Sequence, residues 1–314
     1  MTAEPLQSVF YEFPARAYLE KYYSAVGPEN AAFMRSITEY LAPRSVPTDT
    51  VIEVAGGPCL YALMSIMAAR GRPFRHLTFT DIGWKNLREV ESWLHDYPDQ
   101  FDYAPLLDWL LADTGVRPSR ITRSLRASTW ELVEFDWRRP VPDAWRRSYD
   151  VVSCHFFAES ATNSEYELIA FLGKLRRLGR PGATLLASFM CRSAGYTIGQ
   201  RDFPAFSIDE RSILGYLERA GIVLEDSELR TVPCEDPSAN PGYDALLFVG
   251  GRTASQEASI NTLRFRHRLA APSATRLLAS TTRTARGIMR PWVSTIRHRK
   301  PATCSRTLPQ HNIT

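Results

Sequence analysis

The sequence predicts an α/β fold: a mostly parallel sheet of seven strands, helices on both faces, and an antiparallel last strand. Three observations carry that prediction. Short β-favouring runs alternate with segments of helical period through most of the chain. Three of those runs end on an acid, Glu53, Asp81 and Asp136, as expected where the carboxyl edge of a sheet meets a ligand. The last two runs are separated only by Thr231 to Gly242, a loop with three prolines and no helical period, which favours a hairpin.

Taken in order, residues 1–45 are rich in aromatics. Arg16 to Tyr23 reads as a short helix before the Gly27-Pro28 break, and Glu29 to Leu41 as a second that stops near Pro43. Val51-Ile-Glu-Val-Ala-Gly-Gly-Pro-Cys-Leu-Tyr61 reads as a strand, a tight turn and a helix N-terminus, with Leu60, Leu63, Met64 and Met67 on one helical face. Gly56 and Gly57 can take φ > 0 and leave no Cβ in a ligand's way. His76 to Asp81 is a second strand, and Trp84 to His95 a helix with Leu87, Val90 and Leu94 inward. Leu106 to Ala112 is a further helical segment, and Glu131 to Asp136 a third strand. Tyr149 to Cys154 is a fourth strand, Ser164 to Leu178 a helix, Gly179 to Gly182 a turn and Ala183 to Phe189 a fifth strand. Ile208 to Ala220 is helical, and Ile222 to Leu229 and Tyr243 to Val249 complete the sheet.

Composition narrows the class. A chain of 314 residues, 44% apolar and 23% charged, can bury a sizeable core and matches ordinary soluble proteins. No run approaches the roughly 20 apolar residues of a membrane span, and the start lacks a basic segment followed by an apolar one. A cytoplasmic location is the expectation. The five cysteines are odd in number, widely spaced and without a C-x-x-C pair, which argues for free thiols rather than a disulfide framework or a zinc site. The net charge of +4 is unevenly spread: from Arg252 onward there are 12 basic residues and one acid, whereas residues 1–251 hold 26 basic and 33 acidic residues, a net of −7. A body of that sign gives no reason to expect nucleic-acid binding. The polar, arginine-rich tail, residues 252–314, reads as disordered and solvated, with contact to acidic lipid or nucleic acid as the functional alternative and no partner identified.

The strand-end acids suit a nucleotide-like ligand. Asp81 lies about 20 residues past the glycine turn, where ribose hydroxyls are met. Asp136 with the Trp137 backbone is placed to meet adenine, and Glu53 to organise the turn or face an ammonium group. A dinucleotide fingerprint would need glycines at 55, 57 and 60; the chain offers Ala55, Gly57 and Leu60. The antiparallel last strand favours S-adenosylmethionine methyltransferases over nicotinamide-dependent enzymes. No G-x-S-x-G elbow and no metal-ligand spacing is present.

Five separated segments then carry a resemblance: Tyr18-Leu-Glu-Lys-Tyr-Tyr23, Ile52 to Tyr61, Thr80 to Arg88 with Trp93-Leu94, Tyr97 to Asp102, and Gly195-Tyr-Thr-Ile-Gly199. Over about residues 9–251 the chain resembles the family of nicotinamide, phenylethanolamine and indolethylamine N-methyltransferases. The resemblance implies a Rossmann-like class I methyltransferase with an N-terminal helical lid (1–45), an S-adenosylmethionine-binding domain (46–251) and the tail (252–314) outside it; a monomer is the expectation. The implied cofactor is S-adenosylmethionine, released as S-adenosylhomocysteine, and the implied partner is a small-molecule acceptor. Carried over by position, Tyr18, Tyr23, Glu53, Ala55, Gly56, Gly57, Tyr61, Asp81, Ile82, Asn86, Asp136, Trp137 and Cys154 are the cofactor-binding residues. Tyr18, Glu159, Phe189, Ser193, Tyr196 and Ala205 face the substrate.

The substrate half departs from the family. An acid after the fifth strand falls on Phe189, a serine on Ala205, and an acid after the fourth strand on Glu159 or equally Ala158. A pocket with Phe189 in place of an acid should suit a more apolar acceptor than nicotinamide. Tyr18, Glu159 and His155 are the candidate catalytic residues, Glu159 to orient an amine and take its proton. His155 is the alternative base, although a histidine just past a buried strand is commonly a satisfied core residue. The leading expectation is methyl transfer to nitrogen of a small amine or heteroaromatic, with positioning and water exclusion supplying much of the rate. The alternatives are O- or C-methylation of a small secondary metabolite, or a non-catalytic cofactor-binding protein with a recruiting tail. Ala55 stands where the family has glycine, and its turn keeps its shape if residue 55 adopts negative φ.

Overall fold

The computed structural model describes residues 10–198, 200–234 and 243–254; Gly199, most of the 231–242 loop and the basic tail lie outside the described residues. Within them a seven-stranded sheet has the order β3-β2-β1-β4-β5-β9-β8. Its strands are β1 (Thr50–Glu53), β2 (His76–Asp81), β3 (Trp130–Glu134), β4 (Tyr149–His155), β5 (Gly179–Cys191), β8 (Leu224–Pro233) and β9 (Ala245–Thr253). The first five pair in parallel, and β9 enters antiparallel between β5 and β8. The chain steps outward from β1 to β3 and then crosses to β4, so the β1/β4 boundary is the topological switch point, where open α/β sheets bind ligands.

Eight α-helices accompany these strands among the described residues. Helices α1 (Ala15–Tyr23) and α2 (Pro28–Leu41) precede β1; α3 (Tyr61–Arg70), α4 (Trp84–Leu94), α5 (Ala104–Leu111) and α6 (Pro118–Arg126) lie between β1 and β3; α7 (Glu165–Leu178) and α8 (Glu210–Arg219) flank β5 and β8. Strand residues alternate between two cores. Val51, Leu77 and Phe79 pack with helices α2 to α6 on one face. Ile52, Val152 and Leu185 pack with α7 and α8 on the other. Caps set several ends: the Ser164 hydroxyl accepts the Glu167 N–H, Asp209 closes a capping box on Ser212, and Gly71 takes the left-handed C-cap of α3.

Several expectations need correction. The Gly179–Gly182 turn is part of β5, where the register with β4 shifts and Gly182 takes φ +79°. Asp136 lies two residues beyond β3. Helix α6 had no counterpart in the sequence reading, because its apolar stripe is only Ile121 and Leu125 among polar residues. Gly195 to Ile198 and Arg201 to Pro204 form a separate hairpin, β6–β7. Within the expected N-terminal lid (1–45), Met34, Ile37, Tyr40 and Leu41 of α2 are fully buried in the main core. Sheet pairing continues past residue 251, because Leu224 still pairs with Thr253.

Candidate active site

At the end of β1 the Glu53 carboxyl is 3% exposed, and its Oε2 has no hydrogen-bond partner among the described residues. Burial pushes its pKa up to about 8, against the opposing hydroxyl of Ser153. The turn that follows is stitched to β2. Ala55 N–H donates to Thr80 Oγ1 (3.1 Å), Gly56 N–H to the Thr80 carbonyl (3.0 Å) and Gly57 N–H to Asp81 Oδ2 (2.9 Å). Thr80, which the sequence reading passed over, also donates to the Glu53 carbonyl (3.0 Å) and receives the Trp137 indole N–H (3.0 Å).

Backbone geometry corrects the reading of this turn. Ala55 adopts φ +50°, not the negative φ expected of it. Of the glycine pair only Gly57 (φ +62°) uses the left-handed region. Gly56 is needed for space: a Cβ there would meet the Phe79 ring at 2.4 Å and Glu53 Cγ at 2.8 Å.

Asp81 is 5% exposed, and burial raises its carboxyl above the ordinary range against the opposing donors of Asn86, Gly83, Gly57 and Ile82. Its Oδ1 accepts from Gly83 N–H (2.7 Å) and Asn86 Nδ2 (2.9 Å), while Asn86 Oδ1 is buried without a partner among the described residues. Farther along the same edge, a cavity of about 410 Å³ is lined by Ile82, Phe135, Asp136, Trp137 and Phe157, among others. The Asp136 carboxylate is held there by Arg138 (2.6 and 2.9 Å), which lowers its pKa. The Trp137 carbonyl accepts from Lys174 Nζ at 2.5 Å.

Helix α1 closes over the glycine turn. The Tyr23 ring stacks on Tyr61 (5.1 Å, 8°) and lies 5.7 Å from Tyr18. Burial pushes Tyr18, Tyr23 and Tyr61 well above the ordinary phenol range, so their hydroxyls stay protonated. The β6–β7 hairpin clasps this segment: Lys21 Nζ donates to the Thr197 carbonyl (3.0 Å), Arg201 Nη1 to the Glu12 carbonyl (2.7 Å), and Phe13 packs with Phe203 and Ile198.

Beside α1 and this hairpin sits a second cavity of about 80 Å³, with Tyr18, Tyr23, Met190 and Tyr196 on its walls. Glu159 is fully buried; its Oε1 accepts the Met190 N–H (2.7 Å) and its Oε2 has no partner among the described residues. Burial raises its pKa to about 8. The Tyr196 ring stacks on Phe203 at 5.0 Å.

Glu159 does not itself line this cavity, and of the expected substrate residues only Tyr18 and Tyr196 do. Phe189 is buried on the opposite face of the sheet, packed with the α7/α8 core, so the strand presents Met190 instead. The Ser193 hydroxyl is used by its own turn, accepting Gly195 N–H at 3.1 Å. Ala205 is half-buried just past β7, away from the cavity walls. Cys154 is buried on the α7/α8 face of β4, its thiol raised by burial and by the nearby Glu53 and Glu159. His155 has a serine hydroxyl at each ring nitrogen, Ser153 at 2.8 Å and Ser188 at 3.1 Å, and burial lowers its pKa to about 3. It is a neutral, fully bonded ring.

Comparison with known proteins follows this geometry. Residues 5–249 match the model of the NNMT/PNMT/TEMT family. Human nicotinamide N-methyltransferase is 24% identical over 246 residues, which cover 73% of this chain and 89% of that protein. Indolethylamine N-methyltransferase of Oryctolagus cuniculus is 25% identical over 223 residues, 68% of this chain and 83% of that protein. Phenylethanolamine N-methyltransferase of Macaca mulatta is 24% identical over 242 residues, 72% of this chain and 83% of that protein.

Proposed function

The chain belongs to the NNMT/PNMT/TEMT family, and from that premise we propose how its residues serve an S-adenosylmethionine-dependent methyl transfer to nitrogen of a small amine or heteroaromatic. The observation that carries the assignment of the cofactor site is the pair of buried, unpartnered oxygens, Glu53 Oε2 and Asn86 Oδ1, on either side of the turn held by Asp81. Buried acceptors are rarely left unpaired, and here each fits a donor of the cofactor. Glu53 meets its ammonium group, and Asn86 with Asp81 meets its ribose hydroxyls. Ile82, Asp136 and Trp137 frame the adenine in the larger cavity. Gly56 lets the methionine end approach bare backbone, and Tyr61 with Tyr23 covers it. The bound cofactor supplies a sulfonium methyl group as electrophile.

The protein's contribution is placement and proton handling. Tyr18 and Tyr196 wall the acceptor cavity and exclude water. The acceptor nitrogen forms its new bond with its lone pair, and the methyl–sulfur bond breaks with its electrons left on sulfur. An N–H acceptor must then lose a proton, and Glu159 Oε2 is the buried group free to take it. His155 is left out of the chemistry, because both its nitrogens are engaged. With a raised pKa, Glu159 serves as a base only as pH climbs toward 8. Glu159→Gln is expected to lower turnover of an amine acceptor at saturating cofactor by 10²-fold or more, with cofactor affinity within about twofold of wild type. An unchanged rate would remove Glu159 from the mechanism.

A further inference from the structure

A second carboxylate belongs to the acceptor cavity, and it comes from an element that carried no expected site residue. Glu29 and Asn30, in the first turn of α2, share the cavity wall with five tyrosines (Tyr18, Tyr22, Tyr23, Tyr196 and Tyr243) and Phe156. The Asn30 side chain is fixed by donating to the Tyr22 carbonyl at 2.5 Å. The Glu29 carboxylate accepts the Tyr243 hydroxyl, and among the described residues no basic side chain forms an ion pair with it. An acid in a first helical turn favours the helix dipole, and the bond to Tyr243 ties α2 to the approach to β9. Those roles explain a carboxylate on this helix, but not its position in the wall of a tyrosine-lined cavity. Aromatic rings offer negative faces to a cation, Lys21 Nζ already lies over the Tyr22 ring at 4.8 Å, and Glu29 adds a carboxyl group to the same wall.

We propose that this cavity holds a positively charged group of the acceptor, anchored by Glu29 among the tyrosine rings, and that this group is not the nitrogen that is methylated. The inference rests on the methyl-transfer reading above. A group paired with a carboxylate keeps its proton, and a protonated amine has no lone pair with which to attack. The methylated nitrogen is therefore a second, uncharged one. The acceptor class is a small nitrogen heteroaromatic bearing an aminoalkyl arm. When its ring nitrogen attacks, the lone pair forms the N–CH₃ bond, the sulfur keeps the electron pair of the broken bond, and the ring becomes a cation without losing a proton, so Glu159 acts as a base only on N–H acceptors and is not called on for this class. The charge that the family places after the fifth strand is thus supplied here from α2, while the corresponding position, Phe189, lies in the far core.

The test uses the full chain saturated with S-adenosylhomocysteine and two probes of nearly equal size, 3-(aminomethyl)pyridine and 3-(hydroxymethyl)pyridine. Calorimetry should show the amine binding at least tenfold more tightly than the alcohol. Glu29→Gln should abolish that preference by weakening only the amine, and Glu29→Asp, which keeps the charge, should restore part of it. Both variants must hold S-adenosylhomocysteine as wild type does, which separates a lost anchor from a damaged fold. Equal loss for both probes in Glu29→Gln, or no binding of the amine to wild type, would overturn the inference. Mass spectrometry with labelled S-adenosylmethionine reads the underlying function separately. Glu29-dependent binding without methylated product sinks the methyl-transfer reading alone, and methylated product without Glu29 dependence sinks the anchor alone.

Discussion

Replacing Glu53 by glutamine should make the free protein more stable and the cofactor complex weaker. In the folded chain burial raises the Glu53 pKa from 4.5 to about 8. Between those values the native state binds a proton that the unfolded chain has released, so stability falls as pH rises and levels off above 8. Each pH unit is worth about 1.4 kcal/mol; at pH 7 the burden of Glu53 is on the order of 3 kcal/mol. Glutamine fills the same volume without titrating and should recover most of that, which for a domain of this size corresponds to a melting temperature higher by about 6–12 °C. Glu159 carries the same raised value, whereas His155, lowered to about 3, contributes a slope of the opposite sign below pH 6.5; between pH 6.5 and 8 the slope set by the two glutamates should therefore halve rather than vanish in the variant. Binding should move the other way. A carboxylate is needed opposite the cofactor ammonium, and its population grows from about 1% at pH 6 to about half at pH 8. Wild-type affinity for S-adenosylhomocysteine should therefore rise about fifty-fold over that range, and the glutamine variant should stay nearly flat. Urea unfolding at pH 5 to 8 and calorimetry over the same interval measure both. An unaltered pH slope of stability in the variant, or a flat wild-type affinity, would refute the reasoning.

The glycine turn offers a graded series. Gly56→Ala forces a Cβ to 2.4 Å from Phe79 and should cost about 1–3 kcal/mol together with cofactor binding. Gly57→Ala meets open space and should cost only the left-handed penalty of about 1 kcal/mol. At residue 55, Ala55→Gly relieves that same penalty at φ +50° and should be neutral to about 1 kcal/mol stabilising, readable by thermal melting. His155→Asn leaves serine hydroxyls unpaired and should lower stability by about 1–3 kcal/mol while turnover at low temperature persists; a slow enzyme of unchanged stability would reinstate His155 as the base. A chain ending after Ala254 should melt as the full chain does and bind S-adenosylhomocysteine equally well, whereas loss of folding would place part of the tail in the domain.

Much of this architecture was legible because its determinants are local. The acids at the ends of β1 and β2, the glycine turn and the Tyr18/Tyr23 pair lie in short segments with strong patterns, and the structure brings them to one sheet edge. What escaped depended on the third dimension. Thr80 is an ordinary strand threonine until its hydroxyl is found linking the Glu53 carbonyl, the Ala55 amide and Trp137. Met190 replaced Phe189 because a pleated strand exposes alternate residues, and alignment cannot fix which face a position occupies. Glu29 and Tyr243 are 214 residues apart and meet only in the fold. The sign of φ at Ala55 reflects two bonds to Thr80, from the Ala55 amide to its hydroxyl and from the Gly56 amide to its carbonyl, that hold the turn regardless of the side chain at 55.

Helix α1 has a consequence for the order of events. Its Tyr23 ring lies on Tyr61 above the glycine turn, while Tyr18 and Tyr23 together wall the acceptor cavity. With both ligands placed as proposed, this short segment is a common door, tied to the β6–β7 hairpin by Lys21 on the Thr197 carbonyl and, just ahead of it, by Arg201 on the Glu12 carbonyl. Cofactor exchange would then open the acceptor's wall, so the kinetic scheme should be compulsory-order, with the nucleoside first to arrive and last to leave. Loosening either tie should speed departure of the spent nucleoside before it touches the rate of methyl transfer itself.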